Sequence, residues 1–494
     1  MPQQRKIRRL SLALATAGVA WIASNHALAI EACTLPETGN QAVYGGDWGR
    51  DSIAAPGTVL GCHEVALTDL WLSTRDEAEP YVEHVERAYL MRYLTTDAAG
   101  RKVPATGILL VPKVQNVPVT HNGQAPLVAI PSGTVGMNDK CAPSRLVRRT
   151  SMGVGHRAEM YLQYGFTVVI NDYIGVGTML GADYDELDVT ADPVDDNPYL
   201  EGESTAHTVL DAIRAARQIP GGKYGTDTSA TIPLDWPLAV TGYSQGGAAS
   251  LWTTLIQPSY ADDVNLVATL AGAPPVDLEA TVEHVDGSVF AILYPLILMG
   301  AQNATHPSNQ NIELEKYLSA DGKDFLERAK DKCFNELNSE LLSLYTLNDL
   351  IGGEIPQSDG AVYSKEQFLA DTTFVQWQHN NSIIQNGVTT WDQPSHPVLV
   401  IHGKFDGVVP YQPTQRLLEH YWQAEKGSFT WTGYVDVART TQNSVLQLVP
   451  YASHVSASSI ETNLDAAWQR YAPAEWMWDS IFSANRGKPD GALD

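Results

Sequence analysis

The chain is poor in cysteine: it has four in 494 residues, and no two are spaced as C-x-x-C. A zinc ribbon or a dithiol redox centre therefore lacks its ligands. Basic charge is also scarce. Lys and Arg number 32 against 57 Asp and Glu, for a net charge of −25, and so acidic a surface repels nucleic acid and anionic membranes. Long apolar runs are missing too. Past residue 29 none reaches the roughly 18 uninterrupted apolar residues of a membrane span, so no transmembrane anchor is expected in the mature chain. No internal repeats or low-complexity tracts stand out, which argues against a repeat array.

What is present begins with a leader. Arg5, Lys6, Arg8 and Arg9 precede a mostly apolar stretch over 10–22, and Ala27-Leu28-Ala29 offers a small-x-small cleavage site. Residues 1–29 thus read as a secretory signal peptide. As a membrane anchor the apolar core is too short to span a bilayer comfortably. Removing it takes four basic residues and leaves a still more acidic, exported chain, extracellular or periplasmic. Cys33, Cys62, Cys141 and Cys333 all remain, and an even count in an exported protein favours two disulfides. Three pairings are possible. Cys33–Cys62 is favoured as the local one, and Cys141–Cys333 would tie the body to an inserted segment. No cofactor is implied, and nothing demands a partner, so a monomer is expected.

Residues 30–80 scatter Gly, Pro and Asp and read as an irregular, surface-wrapping arm. Partial alternation over 85–93, a turn at 97–100 and an apolar run over 107–112 predict an antiparallel hairpin. Buried strands then alternate with helices: strands over 126–131, 166–172, 238–242, 266–271, 398–402 and 445–449, helices over 146–164, 205–218, 247–256, 414–423 and 466–482. That rhythm implies a mainly parallel sheet covered on both faces, and with the leading hairpin it fits an α/β-hydrolase. Between 273 and 394 the alternation stops, and helical stretches replace it over 278–302, 312–338 and 341–350. The expected organisation is an arm (30–80), a core in two parts (81–275 and 395–494) and an inserted helical cap, or lid (276–394). The bulky run 289–299 either lines an apolar pocket or packs the cap's own core.

Chemistry concentrates at Gly242-Tyr243-Ser244-Gln245-Gly246, which follows an apolar strand and precedes a helix-forming run. A chain this long shows G-x-S-x-G by chance roughly 0.2 times, so the flanking strand and helix carry the signal. The bland alternative is a glycine-rich turn with a capping serine. A nucleophile elbow needs this layout: the turn is so tight that side chains beside the serine must vanish. A serine hydroxyl also needs a base and an orienting carboxylate, in the chain order Ser, Asp or Glu, His. Asp406 follows the strand 398–402 in a turn, where its alternative role is to cap the next helix. His454 follows the strand 445–449 and is the only histidine after His420. His402, within a strand end, is expected to point elsewhere, and His420 lies mid-helix. An oxyanion would meet the amide of Gln245 and one in the loop 131–136, where Thr134 is chosen and Gly136 competes. The loop 175–181 misses G-x-G-x-x-G by one residue. The run 183–196 holds six aspartates and one glutamate. Calcium is conceivable there, but the spacing matches no EF-hand, so a solvated acidic loop is preferred and no metal site is assigned.

Together these segments resemble the secretory lipase family, the lipase A type of α/β-hydrolase. The resemblance runs from about residue 56 to 454. It rests on Pro56-Gly57-Thr58-Val59-Leu60, on Gly133-Thr134 with Cys141-Ala142-Pro143-Ser144, and on Asp172-Tyr173-Ile174-Gly175-Val176-Gly177-Thr178 with Asn197-Pro198-Tyr199-Leu200. The helix segment 209–216 and the serine motif complete it. It implies a serine carboxylic-ester hydrolase with a helical lid, Ser244, Asp406 and His454 as triad, and a Cys141–Cys333 bridge. Asn197 departs from the histidine the family often carries there, and the acidic loop is longer. An acyltransferase or a peptidase with the same triad, or a non-catalytic binding protein on the same scaffold, are the alternatives.

Overall fold

The computed structural model describes residues 33, 54–70, 73–74, 80–81, 83–116, 126–147, 154–178, 197–308, 312–340 and 346–422, with strand segments at 425–426, 428–429, 435–436 and 445–449. The expected leader 1–29, the acidic run 183–196, the expected helix 466–482 and His454 lie outside them.

The hairpin forms as its pattern predicts. Strands β2 (Val85–Thr96) and β3 (Lys102–Pro112) pair antiparallel, with Leu90 opposite Ile108. Gly100, at φ +75°, allows the turn, and its amide donates to the Asp97 carbonyl at 2.9 Å. The arm is not irregular throughout, which corrects the expectation for 30–80. Val59–Val65 is a strand, β1, paired antiparallel with β2. A register shift between Val59 and Gly61 breaks the two-residue period by which a strand is recognised. Cys33 is bonded to Cys62 within β1.

Five strands follow: β4 (Leu127–Ala129), β5 (Thr167–Asn171), β6 (Leu238–Tyr243), β7 (Leu266–Gly272) and β8 (Val398–Gly403). Two more, β9 (Glu425–Lys426) and β10 (Val445–Val449), complete the sheet in the order β1-β2-β3-β5-β4-β6-β7-β8-β10-β9. Pairing is antiparallel from β1 to β5 and parallel from there on. Successive side chains enter opposite cores. Leu238 and Val240 join one apolar cluster with helices α2 (Gly202–Ala216) and α3 (Gln245–Tyr260). Ala239 joins the other, with α1 (Val154–Gln163). Burial on both faces is why these strands read as continuous apolar runs. Helix α1 falls within the expected 146–164, and a separate short helix, Pro143–Leu146, ends where that expectation begins.

Between β7 and β8 the described chain contains helices and no sheet strand. The longer ones are α4 (Leu278–Val285), α5 (Tyr294–Gln302), α6 (Ala320–Lys330) and α7 (Thr372–Asn380). Asp277, Ser319 and Asp371 cap α4, α6 and α7 through their side chains. This cap has its own core, which includes Phe325, Phe368, Phe374 and Trp377 and takes in Val408 and Val409 from the body. Of the bulky run 289–299, residues 291–294 and 296–299 lie in that core. The cap is tied to the body by Cys141–Cys333 and by the Phe334 amide, which donates to the Val135 carbonyl at 2.8 Å.

Candidate active site

Ser244 stands between the last residue of β6 and the first turn of α3, at φ +57° and ψ −119°. A β-carbon is disfavoured there, and holding it costs about 1–3 kcal/mol. The neighbouring glycines show what enforces the turn. A β-carbon on Gly242 would lie 2.2 Å from the Gly246 carbonyl oxygen, and one on Gly246 would lie 2.2 Å from that of Pro131. The Ser244 amide donates to the Gly272 carbonyl of β7 at 2.8 Å. Strand, turn and helix are thus wedged between the 131–134 loop and β7, with the serine at a helix N-terminus that favours negative charge.

Gln245 opens α3 and is buried. The loop carrying Thr134 lies against the elbow, since a β-carbon on Gly133 would touch the Tyr243 carbonyl at 3.3 Å. Gly136, the competing position, turns to the cap: it bridges to Cys333, and a β-carbon there would lie 2.7 Å from the Lys332 carbonyl. Two buried tyrosines hold the loop. The Tyr173 hydroxyl donates to the Ser132 carbonyl, and the Tyr199 hydroxyl lies 2.7 Å from Thr134 Oγ1. Asp172, fully buried, accepts from the Ser144 amide and hydroxyl and from Thr106 Oγ1, and burial lifts its carboxyl to about 6. Of the Asp-Tyr and Pro-Tyr pairs, it is the tyrosines that brace the loop beside the serine. Sequence alone identified the pairs but not that task.

Asp406 lies in the loop after β8 and is 6% exposed. Its Oδ1 accepts from the amides of Val408 at 2.9 Å and Val409 at 2.8 Å. His284 Nε2, on cap helix α4, donates to the Asp406 carbonyl at 2.9 Å. The phenol of Tyr243 is raised well above its usual value, first by burial and then by the Asp406 carboxylate, so acid loop and elbow share one neighbourhood. The expectation for His402 is corrected. Its ring does not point away but lies fully buried, with Nε2 3.5 Å from Asp406 Oδ2. His454 lies outside the described residues. The strand before it, β10, pairs with β8 so that Val449 sits opposite Gly403, at the root of the acid loop. From the bulky cap run, Phe290 reaches this loop, 3.2 Å from where a Gly407 β-carbon would stand. A cleft of about 450 Å³ lined by Glu203, His207, Trp252 and Trp391 lies on the α2–α3 flank and includes neither Ser244 nor Asp406.

A serine wedged between strand and helix, on a mainly parallel sheet whose strand two places along ends in a buried aspartate, defines an α/β-hydrolase. Residues 157–447 match the secretory lipase family, and the chain belongs to that family. It is 23% identical to the secreted triacylglycerol lipase LIP1 of Malassezia furfur, over 67% of this chain and 60% of that relative. A probable inactive lipase of Mycobacterium tuberculosis is 25% identical over 56% of this chain and 54% of the relative. The chain thus spans somewhat over half the length of these two relatives. Among solved structures, Candida antarctica lipase A in its closed state aligns with a TM-score of 0.63 at 17% identity, covering 92% of this chain and 88% of that one. At such identity the likeness is one of fold.

Proposed function

We propose that the protein is a secreted serine carboxylic-ester hydrolase, of lipase or esterase type, acting through an acyl-enzyme on Ser244. His454, oriented by Asp406, takes the serine proton as the hydroxyl attacks the ester carbonyl. The amides of Gln245 and Thr134 receive the oxyanion. His454 then protonates the leaving alcohol and activates the water that frees the acid. Each oxyanion donor contributes about 2.7–4 kcal/mol to such a barrier. The observation that carries this reading is Ser244 itself: a non-glycine residue at positive φ, flanked by glycines whose β-carbons would strike backbone carbonyls. Export is supported by the leader, by two disulfides and by family relatives named as secreted.

A fluorophosphonate probe should label the purified protein, and p-nitrophenyl esters from acetate to palmitate should be cleaved while the matched anilides are not. Absence of labelling would return the chain to the non-catalytic reading, which the inactive relative keeps in view. Anilide cleavage at ester-like rates would make it a peptidase.

The bracing tyrosines yield a narrower expectation. Tyr199→Phe removes the hydroxyl partner of Thr134 and should lower kcat about 10-fold with KM within about twofold, read by steady-state kinetics on p-nitrophenyl butyrate. A change confined to KM would assign Tyr199 to substrate binding instead.

A further inference from the structure

The strand Val398–Gly403 is buried along its whole length. Apolar side chains fill it up to Ile401, and then an imidazole, His402, takes a position with no exposure. Its Nε2 lies 3.1 Å from the Val409 carbonyl oxygen. That oxygen can only accept, so Nε2 carries a proton. Nδ1 has no hydrogen-bond partner among the described residues.

Residue 409 is gripped at both ends: its amide donates to Asp406 Oδ1, and its carbonyl accepts from His402. The same Nε2–H faces Asp406 Oδ2 at 3.5 Å, too long for a hydrogen bond but close enough to favour the carboxylate. His402 therefore faces the carboxylate oxygen other than the one that accepts from the 408 and 409 amides. We propose that His402 is a positioning residue for Asp406: it pins the 406–409 turn and orients the carboxylate toward the catalytic base. This rests on the acyl-transfer reading above.

The test is a double-mutant cycle with p-nitrophenyl butyrate. Two nitrogen-free variants, His402→Leu and His402→Phe, guard against one failing to fold, and circular dichroism selects the folded one. That variant should lose about 10- to 100-fold in kcat with KM nearly unchanged. His402→Gln, which restores an N–H of similar reach, should recover most of the loss. In an Asp406→Asn background the His402 substitution should cost nothing further, because the group it positions is gone. A merely structural role would lower activity equally in both backgrounds, and that result overturns the inference. So does a folded nitrogen-free variant at parental kcat. Full activity in Asp406→Asn alone marks a different failure, that of Asp406 as triad acid, and removes this inference with it.

Discussion

Ser244→Ala is expected to lower kcat on short-chain esters roughly 10⁴- to 10⁶-fold, leaving only what the oxyanion donors and binding supply. Alanine keeps the β-carbon, so the turn at φ +57° remains as strained as before and the variant should fold like the parent. Ser244→Gly adds a second readout. Glycine adopts this conformation without steric cost, so the 1–3 kcal/mol of strain is relieved against about 0.5–1 kcal/mol of extra chain entropy. The glycine variant should therefore be inactive yet melt slightly higher than Ser244→Ala in a calorimetric scan. An inactive protein that has gained stability is the signature of a residue held in place for chemistry. Parental turnover in Ser244→Ala would end the acyl-enzyme proposal.

Asp406→Asn is expected to cost about 10³- to 10⁴-fold in kcat while leaving the fold intact. The amides of Val408 and Val409 converge on one carboxylate oxygen, Oδ1. An asparagine satisfies them by placing its carbonyl oxygen there. Its NH₂ group must then occupy the position of Oδ2, where it confronts the His402 N–H and offers a donor to the base at 454. Donor meets donor, and the base is driven to the wrong tautomer. His454→Ala should show a loss of similar size, and the two together little more than either alone, since the groups act as a unit. Steady-state kinetics on the three variants checks this. Losses that multiply would mean that Asp406 and His454 work separately.

Parts of this architecture were legible in one dimension. Residues 238–242 read as a strand because they are mostly apolar on both faces, and the glycines on either side of Ser244 admit one kind of turn. The hairpin was legible because its turn is local. Strand β1 was not, because its bulge erases the alternation from which strands are read. The helical stretch between β7 and β8 was legible as an interruption of rhythm, but what its residues touch was not. Most of the run 289–299 is expected to pack the cap's own core, with a pocket role open to some of it, and packing within the cap decided for the core in residues 291–294 and 296–299.

By itself the sequence determined the alternation that makes a parallel sheet and the serine elbow, because each is written in neighbouring residues and obeys local sterics. Only the tertiary structure decided that Tyr173 and Tyr199 brace the loop beside the serine, that Gly136 faces the cap, and that His402 faces Asp406. Those relations join residues on different strands, helices and loops, and no periodicity encodes them. They exist because strand β8 and its loop are folded onto a cap core that also claims Val408 and Val409. Side-chain direction at such a junction follows from packing on all sides at once.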